Sequence, residues 1–300
     1  MRISLCNEVI RELPFERQCA FARQTGYDGL EIAPFTFGEE PHRLSAAQRA
    51  VARRSAADAG IAITGLHYLM LKPVGLSITS ADAKQRARTI DVMRRLCDLA
   101  ADLGARVLVH GSPGQRQLEP GQEAEGRKWG AECFAAVAGA AAKAGVVYCI
   151  EPLARPETFF VNTVEEAAAL VRAIDSPAVR TMVDCCAAGR TEPASIPDLL
   201  AKWLPTGLVA HVHFNDPNRR GPGEGELAFA PILQALSAHN YQGVAAVEPF
   251  VYEPDGPACA ARAIGYLRGV MEASQISFAR KERRTQTLRH RRLPRGRVRA

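Results

Sequence analysis

The sequence predicts a (β/α)₈ barrel, and three observations carry that prediction. Short apolar runs recur eight times along the chain, each long enough for one strand and too short for a typical helix. Stretches of helical composition separate them, the alternation that builds a parallel sheet covered by helices. Four runs in the second half end on an acid or an imidazole: VVYCIE on Glu151, VRTMVD on Asp184, GLVAHVH on His213 and GVAAVE on Glu248. These runs are apolar almost throughout, as strands buried on both faces must be. Polar groups at the exits of consecutive barrel strands meet at the carboxyl-terminal mouth.

In chain order, strands are expected at residues 2–6 (RISLC), 29–33 (GLEIA), 61–69 (IAITGLHYL) and 106–111 (RVLVHG). The second half supplies 146–153, 179–184, 207–214 and 243–250. A helix over 14–25 starts on a proline and stops before Gly26, the usual asymmetry of helix ends. Another over 80–103 has Ser80 as its candidate cap and ends before Gly104. The alanine-rich stretch 123–144 closes before Gly145, and Thr163 with Glu166 matches a capping box for a helix reaching Ile174. No GxGxxG follows the first strand, and the glycines of RRGPGEGE near His213 lack a strand–turn–helix context. Both observations argue against a dinucleotide-binding sheet.

A barrel of this kind needs about 250 residues, so the 300-residue chain is read as one domain over 1–273, with a tail over 274–300. The net charge of +6 belongs to that tail. From Arg280 onward ten Lys or Arg face the single acid Glu282, a local charge of +9 that leaves the body at −3. The tail lacks apolar periodicity and is expected to be disordered, with at most nonspecific attraction to nucleic acid phosphates. No apolar stretch approaches the roughly 20 residues that span a bilayer, and MRISLC does not have the form of a secretory leader. The eight cysteines form no CxxC pair. They read as free thiols of a cytoplasmic protein, without a disulfide framework or a cysteine zinc site.

Two glutamates, an aspartate and a histidine make an oxygen-rich set suited to one octahedral divalent ion, Mn²⁺ first, with Mg²⁺ or Co²⁺ as alternatives. Open positions would take water or substrate. The segments IEPLARPET, MVD, HVHFNDPNRRGPGEG and VEPFVY resemble the second half of the xylose isomerase-like TIM-barrel family, and within it the ketose 3-epimerases and hydroxypyruvate isomerases. The resemblance covers about residues 1–273 and is strongest from Gly145 to Tyr252. It implies that Glu151, Asp184, His213 and Glu248 bind the metal. It also implies that Glu151 and Glu248 exchange protons with a small sugar, ketose or sugar phosphate through an enediolate. Glu157 and Arg155 match the family's ExxxRxE pattern, and Arg219 matches an arginine that grips substrate oxygens.

His67 resembles a pocket-lining position, and His110 is a candidate substrate contact on the next strand. Glu31 also lies near a strand exit. Gln115 and Arg116 follow a Ser-Pro-Gly turn and are expected to reach over the mouth. His211 shares a strand face with His213 and reads as a supporting residue. One position departs from the resemblance: the family commonly has a histidine three residues after the aspartate, where this chain has Ala187. The alternatives left open are an inosose-type dehydratase on the same site, an endonuclease IV-like DNA repair enzyme, and a non-catalytic sugar-binding barrel. By analogy with other barrels of this kind, a homo-oligomer is expected.

Overall fold

The computed structural model describes residues 1–278. Eight parallel strands close into a barrel in sequence order: β1 Arg2–Cys6, β2 Gly29–Ile32, β3 Ala62–Leu66, β4 Val107–His110, β5 Val147–Ile150, β6 Val179–Asp184, β7 Val209–Phe214 and β8 Val244–Val247. The ring closes through β1 and β8, with Leu5 opposite Val247. All eight expected strands are present. The expected tail falls largely on residues 279–300, outside the described residues.

Nine helices surround the barrel among the described residues: α1 Phe15–Thr25, α2 Ala46–Asp58, α3 Ala83–Leu103, α4 Glu123–Ala144, α5 Val164–Ile174, α6 Cys185–Thr191, α7 Ile196–Trp203, α8 Phe229–Ala238 and α9 Gly256–Ala273. Gly26 closes α1 at φ +100°, a left-handed conformation that costs glycine nothing. Two helix starts differ from expectation. The cap of α3 is Asp82, whose side chain accepts from the Lys84 amide at 2.8 Å, while Ser80 accepts from Asp82 in the preceding turn. Thr163 caps α5 through the Glu166 amide, but the Glu166 carboxylate turns to the Asn162 amide at 2.6 Å, so only half of the box forms. The complete box is Ser45 with Gln48 at α2.

The main core lies between sheet and helices, and a small second cluster, Val109, Cys149 and Met182, is set apart from it. Side chains alternate along a strand. The parity of Val109 therefore sends His110 to the helix side, where its ring packs on Phe134 of α4 with centroids 5.1 Å apart. The parity of Cys149 and Met182 delivers Glu151 and Asp184 to the inner face, at the carboxyl ends of β5 and β6. Register completes the alignment, since Asp184 pairs with His213 and His213 with Ala246 two residues before Glu248. All eight cysteines are free and buried. No helix among the described residues is long and apolar enough to cross a membrane.

Candidate active site

Glu151, Asp184, His213 and Glu248 come together at the barrel mouth. Each offers one ligand atom, and these atoms all lie within 4.8 Å of one another. His213 Nδ1 is the hub, 2.7 Å from Glu248 Oε2 and 3.8 Å from both Glu151 Oε1 and Asp184 Oδ2. The short contact to Glu248 is not aligned as a hydrogen bond, which leaves Nδ1 buried without a hydrogen-bond partner. None of the four is more than 5% exposed. The set's three carboxylates, Glu151, Asp184 and Glu248, border a cavity of about 200 Å³, room for one small molecule.

Neighbouring groups hold each member. Asp184 caps α6 by accepting from the Ala187 amide at 2.6 Å, and the Asn215 amide nitrogen donates to its other oxygen at 2.7 Å. Asn215 also donates to the Glu248 carbonyl at 3.1 Å, tying β6 to β8. Gly111 sits against Glu151, and a Cβ there would fall 1.5 Å from Glu151 Oε2, so only glycine fits while the carboxylate keeps its place. Glu31, fully buried at the end of β2, lies 2.9 Å from His213 Nε2 and, through its other oxygen, 2.9 Å from His211 Nε2. The contact to His213 is an aligned hydrogen bond and the one to His211 is not. His213 Nε2 thus faces Glu31 while Nδ1 faces the carboxylates. Carboxylate–histidine pairs of this kind orient a metal ligand and select its tautomer.

Electrostatics follow from packing four acids and several imidazoles out of water. Burial, then the neighbouring Glu248 charge, pushes Asp184 up to about 6. Burial and Glu248 likewise hold Glu151 well above the usual carboxylate range. Burial disfavours ionised Glu31, but His211 and His213 outweigh it and hold its carboxyl well below the ordinary value. Burial also opposes a charged His213, yet Glu248 and Glu31 raise it well above a free imidazole. Positive charge is favoured at Nδ1, the atom the three carboxylates surround.

The remaining sequence candidates divide. Glu157 and Arg219 line the cavity, and Ala187 lines it too. His67 is fully buried beside it; its Nε2 lies 2.7 Å from Glu8 Oε2 and 3.7 Å from Glu248 Oε1. With Cys6 these three residues form a second group whose ligand atoms lie within 4.8 Å of one another. His110 binds the Tyr148 hydroxyl at 2.8 Å on the helix side of β4, and Arg155 donates to Asn162 at 3.1 Å; neither lines the cavity. Gln115 and Arg116 do not reach over the mouth. Both are buried, Gln115 donating to the Met70 carbonyl at 2.6 Å and Arg116 to the Glu151 carbonyl at 2.7 Å. Their turn folds inward because those carbonyls need donors.

Sequence reasoning missed Asn215 and Arg190, and gave Glu31 and Glu8 no role. Asn215 follows His213 by two residues and was open to the same parity argument. Arg190 has no strand to announce it, since α6 begins directly at Cys185.

Comparison with known proteins bears on the family and the fold. The sequence model described as xylose isomerase-like TIM barrel matches residues 19–270. A D-psicose 3-epimerase of Agrobacterium fabrum is 30% identical over 230 residues, covering 75% of this chain and 76% of that protein. A probable ketose 3-epimerase of Synechocystis is 26% identical over 237 residues, 77% of each. Among solved structures, a D-psicose 3-epimerase in the presence of D-fructose superposes with a TM-score of 0.75 at 23% identity, covering 90% of this chain and 99% of that one. At that identity the structural likeness speaks for the fold.

Proposed function

The chain belongs to the xylose isomerase-like TIM-barrel family, and on that footing we propose that it is a divalent-metal-dependent epimerase of a ketose, using Glu151 and Glu248 as its two acid–base groups. Its relatives in sequence are sugar epimerases. The observation that carries the reading is the convergence of Glu151, Asp184, His213 and Glu248, whose three carboxylates line one small cavity at the barrel mouth.

The residues fit a metal. His213 Nδ1 is buried without an aligned partner among three carboxylates, and its other nitrogen is held by Glu31. Three carboxylates and one imidazole suit Mn²⁺, with Mg²⁺ or Co²⁺ as alternatives. Bound there, such an ion supplies Lewis acidity that polarises a ketose carbonyl and acidifies the neighbouring C–H. Glu151 arrives on β5 and Glu248 on β8, so they approach the cavity from different sides of the barrel. One carboxylate removes the proton from the substrate carbon. The other returns a proton to the opposite face, and the stereocentre inverts. A single carboxylate would return the proton to the face it came from. Glu157 and Arg219 face the substrate oxygens, and the depth of the site limits competing water.

Two consequences concern the ionisable groups of the site. Glu31→Gln should weaken Mn²⁺ affinity by about 10- to 100-fold, measured by calorimetry, with the fold retained. An unchanged affinity would remove Glu31 from the site. The second concerns pH. Asp184, and Glu151 with it, hold protons more tightly folded than unfolded. His213 shifts in the same sense. In metal-free protein the Asp184 contribution to stability is present at low pH and is lost as pH rises through about 6, while those of Glu151 and His213 are lost as pH rises through their own raised values. Glu31 has the opposite sign: its contribution is present above the ordinary carboxylate range and is lost only as pH falls below it. A cation needs the ionised ligands, so the melting-temperature gain from Mn²⁺ should be larger at pH 7.5 than at pH 5. Equal gains would contradict the assignment.

The direct test of activity is incubation of purified protein with Mn²⁺ and a panel of ketoses, reading inversion at the carbon next to the carbonyl by NMR. Inversion of at least one ketose is expected. Metal binding without inversion of any substrate in the panel would overturn the epimerase reading.

A further inference from the structure

Beyond the four-residue cluster, the cavity wall carries three charged side chains, Glu157, Arg190 and Arg219. Arg190 comes from α6, three residues after Ala187, and residues so spaced share a helix face. Both line the cavity. Where the family resemblance expects a neutral imidazole at 187, this chain has a methyl group and, one turn on, a guanidinium. Arg190 Nη1 lies 2.8 Å from Glu157 Oε1, with the two side chains 30% and 35% exposed. An ion pair that exposed is weak. It engages one donor of a planar fork that carries five. Arg219 lies over the Phe250 ring at 5.3 Å and makes no salt bridge among the described residues. Its backbone is held at φ +70°, unusual for a side-chain-bearing residue, and its carbonyl accepts from the Phe250 and Val251 amides at 2.8 and 3.1 Å. That anchoring fixes where the Arg219 side chain leaves the loop.

We infer that Arg190 and Arg219 form an anion subsite, so that the substrate is a ketose carrying a negative group, phosphate or carboxylate, remote from its reacting carbonyl. This rests on the epimerase reading. Beyond the four cluster residues, the charged groups of the wall are two guanidiniums against Glu157, one positive charge in excess. An anion pairs with it, and guanidinium is the group best matched to phosphate and carboxylate geometry.

The test separates binding from turnover. Alditols lack the carbonyl and cannot epimerise, so a neutral alditol, an alditol phosphate and an aldonate report the subsite alone. Affinities are measured by calorimetry on the full chain with Mn²⁺, for the unmodified protein, Arg190→Met and Arg190→Lys. An anionic ligand should bind about tenfold or more tightly than the neutral one. The preference should collapse in Arg190→Met and persist in part in Arg190→Lys. The basic tail is present in every variant, so its nonspecific attraction cancels. Preference for the alditol phosphate points to a ketose phosphate, and preference for the aldonate to a keto-sugar acid. Equal affinities in the unmodified protein, or an anion preference that survives Arg190→Met, would overturn the subsite. An intact preference with no turnover of the matching ketose would sink the epimerase reading and leave the subsite standing.

Discussion

Glu151→Gln and Glu248→Gln are each expected to lower epimerisation by about 10²- to 10⁴-fold, the usual contribution of a positioned proton-transfer group. Glutamine keeps the shape and one carbonyl oxygen but neither takes nor returns a proton near neutral pH. The loss should differ in kind between the two variants. A protein lacking one carboxylate can still deprotonate the epimer whose hydrogen faces the other. Each variant should therefore exchange that hydrogen with solvent in one epimer only, and the two variants should choose opposite epimers. The double variant should be no worse than the weaker single one for inversion, because two groups acting in one sequence are not additive. Inversion at undiminished rates in either single variant would remove that carboxylate from the chemistry.

Chelation should abolish turnover, and Mn²⁺ should restore it. The same treatment should lower the melting temperature. A ligand at 100 times its dissociation constant stabilises the folded state by about 2.7 kcal/mol. For a domain of this size each kcal/mol moves the midpoint by roughly 2–4 °C, so a drop of about 5–10 °C is expected on metal removal. The cause lies in the packing. Glu151, Asp184 and Glu248 are nearly fully buried with their oxygens converging on His213 Nδ1, and a cation relieves their mutual repulsion. A chelated protein with full activity and an unmoved midpoint would contradict a metal centre.

The residues that could be read from sequence and those that could not differ in what determines their position. Glu151, Asp184, His213 and Glu248 each end an apolar run, so chain-local pattern was enough to place them at strand exits, and barrel closure does the rest. His110 ends its run in the same way, yet its parity with Val109 turns it to the helices. That alternation was visible but not decisive until Val109 was known to point inward. The inward course of Arg116 is not legible in the sequence, because a Ser-Pro-Gly turn does not disclose which buried carbonyl needs a donor. Glu31 reaches His213 from across the barrel, 182 residues away in sequence. Only the closed register brings the two together. Arg190 depends on a short helix that starts at the residue after Asp184, where no periodic signal has room to develop.

The most direct test of the central claim is solvent deuterium incorporation during turnover by the Mn²⁺-loaded protein in D₂O. A two-carboxylate epimerase must place one deuterium on the inverted carbon of the product, and that incorporation must vanish on chelation. Inversion that proceeds with no deuterium at that carbon, or that continues undiminished without metal, would contradict proton transfer by Glu151 and Glu248 at a metal-polarised ketose.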